Sequence, residues 1–140
     1  MLARDRSFVS FAPGTPAPEI LRRVAETSRQ DVFPVLSSAG TLLGLITSGS
    51  LRIVAAEGEH LQMMVAVDAM QPPVTVEIND DLRSAVEVMV TNAMREVPAL
   101  DSDGKLVGLL DENDVTKAYL AATTPRPDQT PLPSVRRPSG

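Results

Sequence analysis

The residues best placed to do chemistry stand at two similar junctions. In the stretch GLITSGS they are Thr47 and Ser50, and in GLLDEND they are Asp111 and Asp114, with the members of each pair three positions apart. Both pairs fall where a strand should give way to a helix. At such a start, hydroxyls and carboxylates accept hydrogen bonds from free backbone amides, and acids are favoured by the helix dipole. Asp111 thus reads as an N-cap with Asp114 in the first turn, and Thr47 or Ser48 as the cap of the other helix. Nothing else supplies a reaction centre. His60 is the only histidine and lies in a Gly-Glu-His linker, so no His-based triad or metal cluster is available. The absence of cysteine removes disulfides, thiolate ligands and thiol nucleophiles. Asp80-Asp81 and Asp101-Ser102-Asp103 read as caps and turns rather than a cation loop. Met63, Met64, Met89 and Met94 read as core or interface filler. The chain is expected not to be an enzyme.

The elements that must position these junctions occur twice. VPALDSDGKLVGLLDENDV predicts a strand over Val97–Leu100, a turn at Asp103-Gly104, a strand over Leu106–Leu110 and a helix from Asp111–Asp114. FPVLSSAGTLLGLITSGSL repeats it, with strands Val32–Leu36 and Leu42–Thr47 and a helix from about Ser50 to Glu57. Pro34 matches Pro98, Gly40 matches Gly104, and Gly44 matches Gly108, at a constant offset of 64 residues (98 − 34 and 108 − 44). Such a repeat governs every later inference. Asp-Gly supplies the positive φ of the turn, and Gly44 is expected to allow a close approach of neighbouring elements. Before each hairpin comes a brief strand and a helix. Val9–Phe11 is followed by a helix with Thr15 as N-cap and Pro16 at its first position, its apolar face formed by Ile20, Leu21, Val24 and Ala25. Val74–Val76 is followed by a helix capped by Asn79 or Asp80, with Leu82, Ala85, Val86, Met89, Val90 and Ala93 on one face. The resulting divisions are a flexible arm over 1–7, a first repeat over 8–57, a linker over 58–73 holding a short helical stretch in Leu61–Val67, a second repeat over 74–122, and a tail over 123–140. The tail carries five of the twelve prolines and is expected outside the fold.

Composition narrows the function classes. The 140 residues are 43% hydrophobic but only 3% aromatic, enough for a packed aliphatic core. A net charge of −5, with no basic cluster, argues against nucleic acid. No apolar run reaches the ~18 residues of a membrane span and no signal peptide is visible, so a cytoplasmic location is expected.

FPVLSSAGTLLGLIT and VPALDSDGKLVGLLD each resemble the final strand–turn–strand of the cystathionine-β-synthase (CBS) domain. Asp68-Ala69-Met70 is similar to the D-x-M found before a CBS repeat. The resemblance covers about residues 8–122. It implies an α/β (α+β) tandem pair, a Bateman module, built from two β-α-β-β-α repeats with pseudo-twofold symmetry. It further implies a regulatory domain that binds adenine nucleotides or related adenosyl ligands (AMP, ATP, S-adenosylmethionine) and requires no cofactor. In the family a Thr or Ser after the Gly-led strand faces phosphate or ribose, and an Asp three residues later accepts from ribose hydroxyls. Thr47 keeps the first feature but is followed by Ser50; Asp114 keeps the second but is preceded by Asp111. A carboxylate at 111 opposes phosphate, which favours ligands of little phosphate charge or a bridging cation. The alternative is a structural dimerisation module with empty clefts. The resemblance also implies a homodimer through exposed helices, for which Leu51, Ile53, Val54, Val115, Ala118 and Tyr119 are candidates. The phrases DVFPVLSSAGTLLGLITSGSLR and LLDENDVTKAYL are similar to the cytoplasmic CBS pair of prokaryotic CLC-type chloride channels, which makes such a channel a candidate partner in ion transport.

Overall fold

The computed structural model describes residues 8–27, 30–121, 131–133 and 135. The expected arm over 1–7 and the remainder of the tail lie outside the described residues. Along the chain run α1 (Ala17–Ala25), β1 (Val32–Leu36), β2 (Leu42–Thr47), α2 (Ser48–Ala55), a 3-10 helix (Gly58–Met63), α3 (Ala66–Ala69), β3 (Val76–Glu77), α4 (Leu82–Thr91), β4 (Glu96–Leu100), β5 (Leu106–Asp111) and α5 (Glu112–Ala121). They fall into two compact units, a first over residues 9–73 and a second made of residues 74 onward together with Phe8. Phe8, which is buried, groups with the second unit. Among the described residues no helix is long and apolar enough to cross a membrane.

In the first unit β1 and β2 form an antiparallel hairpin, and Val9–Phe11 contributes one parallel bridge, Phe11 to Val35, rather than a strand. Two backbone bonds hold that bridge, from the Phe11 amide to Pro34 O and from the Leu36 amide to Phe11 O (2.9 Å each), and a side chain adds to them. Gln30, buried, accepts from the Val9 amide (2.9 Å) and donates to the carbonyls of Val9 (2.8 Å) and Val32 (2.9 Å). A buried amide satisfied on three sides is an inexpensive way to anchor a short edge. Phe11, Ile20, Phe33, Val35, Ile46, Leu51 and Val54 form the core, joined by Ala66 and Ala69 from α3. Phe11 stacks obliquely on Phe33 (6.0 Å between ring centres), and the Arg23 guanidinium lies 5.3 Å over the Phe11 ring.

The start of α1 differs from expectation. Pro16, not Thr15, occupies the cap position, and no side chain caps the helix. The backbone does that work instead: the Ala17 amide donates to Met64 O (2.9 Å), the Ala66 amide to Thr15 O (2.9 Å), and Pro16 pairs with Val65. The expected helical stretch in the linker resolves into the 3-10 helix and α3, whose first turn is closed by Asp68 accepting from the Val65 amide (3.0 Å).

The second unit holds a three-stranded sheet in the order β3-β4-β5, with β3 parallel to β4 and β5 antiparallel to it. Its core is Val76, Leu82, Ala85, Met89, Val97, Ala99, Leu110 and Val115. Asp81, rather than Asn79 or Asp80, caps α4 by accepting from the Ser84 amide (2.8 Å). Asp80 is engaged one step earlier, accepting from the Glu77 amide (2.9 Å) to turn the chain out of β3. The Ser84 amide, and then its hydroxyl, hold the Asp81 carboxyl below the usual carboxylate range. The sign follows: the cap stabilises α4 fully above the ordinary carboxylate pKa, and its contribution disappears as pH falls through the lowered value. Asp81→Ala should therefore reduce the melting temperature clearly at pH 7 and progressively less below about pH 4. A constant difference across that range would contradict a carboxylate cap.

The two hairpins share one register. Val32, Phe33, Pro34, Val35 and Leu36 face Thr47, Ile46, Leu45, Gly44 and Leu42; Glu96, Val97, Pro98, Ala99 and Leu100 face Asp111, Leu110, Leu109, Gly108 and Leu106. The bulge falls between Val35 and Leu36 in one copy and Ala99 and Leu100 in the other, so the 64-residue offset (99 − 35) extends to backbone irregularity. Gly40 and Gly104 have φ of 86° and 79°, the left-handed values that favour glycine at these turns. Leu51, Val54 and Val115 are buried within their own units, whereas Ile53 and Tyr119 are exposed.

Part of the tail departs from expectation. Pro131 forms an antiparallel bridge with Asp81, and Leu132 and Val135 pack against the core of the second unit.

Candidate functional site

Each hairpin delivers its last residue to the mouth of a helix. In the first unit Thr47 ends β2 and caps α2: its hydroxyl oxygen accepts from the Ser50 amide (3.1 Å). Ser50 answers by accepting from the Thr47 amide (3.0 Å) and donating to the Thr47 carbonyl (2.9 Å). This reciprocal box starts α2 at Ser48, two residues before the expected start. The one proton of Ser50 is committed to the backbone, while Thr47 retains its own hydroxyl proton for a donor role. Neither Thr47 nor Ser50 carries a formal charge.

In the second unit Asp111 ends β5 and Asp114 lies in the first turn of α5, both partly buried. Asp111 accepts from the Asn113 amide (2.6 Å), and the Glu112 amide donates to Arg95 O (2.8 Å). Two carboxylates stand where the first unit has two hydroxyls. Sequence reasoning passed over a third: Glu96, buried, lies opposite Asp111 in the β4–β5 ladder. The signal was available, because the offset that aligns Thr47 with Asp111 aligns Val32 with Glu96. Chemically, the two junctions differ in the groups they carry. The second gathers carboxyl groups, whereas the first gathers hydroxyls. Thr47 and Ser50 are thus brought together in one unit, and Asp111 and Asp114 in the other.

Other candidates resolve into structure. Asp101 accepts from the amides of Asp103 and Lys105, each at 2.9 Å, and so closes the β4–β5 turn. Met89 is core, Met64 packs against the first core, and Met63 is exposed. Among the described residues no group of His, Asp or Glu side chains is arranged to hold a metal ion.

Comparison with known proteins agrees with this geometry. Residues 4–57 and 65–121 each match the model of the family described as the CBS domain. An uncharacterized protein of Methanopyrus kandleri is 31% identical over 122 residues, which are 84% of this chain and 62% of that one. The inosine-5'-monophosphate dehydrogenase of Thermoplasma acidophilum is 28% identical over 110 residues, 79% of this chain but 21% of the enzyme. The chain thus spans less than two thirds of the length of these relatives. Among solved structures, CBSX2 of Arabidopsis thaliana in complex with AMP superposes with a TM-score of 0.69 at 26% identity, covering 84% of this chain and 90% of that one. The chain belongs to the CBS domain family and carries two CBS domains in tandem.

Proposed function

We propose that the chain is a non-catalytic regulatory module that senses an adenosine-containing ligand, of the AMP, ATP or S-adenosylmethionine class, and controls an attached or partner protein. CBS pairs are regulatory modules, and the AMP complex of CBSX2 supports the ligand class. The observation that carries the reading is Asp114 in the first turn of α5, a carboxylate at the position suited to receiving ribose hydroxyls, with Asp111 beside it at the end of β5. A regulatory output requires that the ligand bind one conformation better than another. Calorimetric titration of the whole chain with adenosine, AMP, ATP and S-adenosylmethionine tests it. Heat of binding that vanishes in Asp114→Ala is the supporting result.

A second reading, a dimerisation module without ligand, is favoured by one observation: Ser50, at the position matching Asp114, spends its hydroxyl on the Thr47 backbone. The homodimer we propose under either reading uses exposed helices. In the second unit Val90 of α4 and Tyr119 and Leu120 of α5 are exposed, and an open hollow of ≈ 450 Å³ lies between these helices, lined by Val86, Met89, Val90, Met94 and Val115 among others. A concentration-dependent dimer by sedimentation, with no ligand heat, selects the scaffold. As host, a prokaryotic CLC-type chloride channel is proposed on the likeness of its C-terminal CBS pair. About ten apolar spans encoded upstream in the same reading frame would establish it.

A further inference from the structure

The described part of the tail repeats what the linker does, one unit later. After α2 the chain returns so that Val65 pairs antiparallel with Pro16, the residue at the cap of α1, and Ala66 and Ala69 enter the first core. After α5, Pro131 pairs antiparallel with Asp81, the residue at the cap of α4, and Leu132 and Val135 pack on the second core. Val65, Ala66 and Ala69 correspond to Pro131, Leu132 and Val135 at a uniform offset of 66 residues (131 − 65, 132 − 66 and 135 − 69).

We propose that Pro131, Leu132, Pro133 and Val135 act as a strap docked on the second unit, covering its core as Val65, Ala66 and Ala69 cover that of the first, though without the helical turn of α3. Its composition suits the task. The segment carries little apolar surface, which is why it reads as lying outside the fold, yet two of its side chains, Leu132 and Val135, pack against the second core. Pro131 and Pro133 fix φ near the extended value and leave the free segment less entropy to lose on docking. A proline is tolerated there because an added edge needs no continuous ladder. Since Asp81 both bridges Pro131 and caps α4, docking of the strap and anchoring of the helix meet at one residue. A partner that binds the tail, or a force applied to it, thereby acts on α4, which gives the module a mechanical connection separate from its ligand junctions.

Hydrogen exchange on the full chain tests this. Leu132→Ser with Val135→Ser should raise amide exchange in β3, α4 and β4 roughly tenfold or more, the scale set by removing two half-buried aliphatic side chains. The β1–β2 hairpin should be unchanged. The milder Leu132→Ala should do the same to a smaller degree, and Leu132→Met should leave protection intact. Exchange that stays at the wild-type level in the double variant would overturn the strap, as would a rise of equal size in both units for Leu132→Ala.

Discussion

Gly44→Ala is expected to lower the melting temperature of the chain by about 10 °C or more. A Cβ at this position would lie 2.7 Å from the Gln71 carbonyl oxygen, 2.7 Å from Met70 Sδ and 2.9 Å from Met70 Cγ. The methionine end can swing aside, but the carbonyl cannot. It accepts from the Leu45 amide at 2.9 Å, while the Gln71 amide donates to Leu45 O at 2.8 Å. To admit one methyl group, the edge of β2 and the linker must separate and strain both bonds. Overpacking of this kind costs about 1–3 kcal/mol, with about 1 kcal/mol more for each hydrogen bond lost. Against a total stability of about 5–15 kcal/mol that is a large share. Gly49→Ala supplies the contrast. Its Cβ would meet only Thr47 Oγ1, at 3.8 Å, inside α2, so it should leave the melting temperature unchanged or raise it. Calorimetric or circular-dichroism melting of both variants is the measurement. A wild-type melt for Gly44→Ala would mean that the Leu45–Gln71 pair does not hold in solution.

The second large effect concerns ligand choice. On the proposed role of Asp114, its carboxylate takes two hydroxyl donors, each charge-assisted bond being worth about 1.5–3 kcal/mol. Asp114→Ala should therefore weaken AMP or adenosine a hundredfold or more, by about 3 kcal/mol if both bonds are lost. Asp111→Thr should act in the opposite sense, and selectively. A threonine hydroxyl can still accept from the Asn113 amide, as the Asp111 carboxylate does, while removing the charge that repels phosphate. At a partly exposed site the repulsion is screened, so a gain of about tenfold is expected for ATP at low salt, and little for adenosine. Calorimetry with both ligands at two ionic strengths separates the cases. An equal gain for adenosine and ATP would reject the electrostatic account of position 111.

Much of the architecture could be read from residues alone because it repeats. The matched prolines, leucines and glycines set both hairpins in register before any coordinate, and the apolar spacing of α4 located Leu82, Ala85 and Met89 in a core. What escaped depended on distant partners. Three adjacent polar residues, Asn79, Asp80 and Asp81, are each acceptable caps, and only the turn that uses Asp80 for the Glu77 amide leaves the role to Asp81. Thr15 looks like a cap by type, but backbone from residues 64–66 takes that place. Composition marks the tail as unfolded because it counts apolar residues, whereas docking needs only Leu132 and Val135 at a suitable spacing. At the candidate site the sequence placed Thr47, Ser50, Asp111 and Asp114 at the two strand-to-helix junctions, and the same offset would have pointed to Glu96, whose place facing Asp111 only the ladder makes plain.

The shared register also says where duplicated halves are free to become different. Four of the five rungs in each hairpin carry uncharged residues and are held by packing, so that Pro34 and Pro98, Leu45 and Leu109, and Gly44 and Gly108 are unchanged between copies. The remaining rung, Val32 with Thr47 or Glu96 with Asp111, touches the mouth of the following helix, and it alone changes from no formal charge to two acidic residues. Division of labour between twin halves therefore asks for very few substitutions. A copied frame can retain its shape, bulge included, while one rung and the helix turn beside it, where Ser50 is matched by Asp114, give each twin its own chemical character.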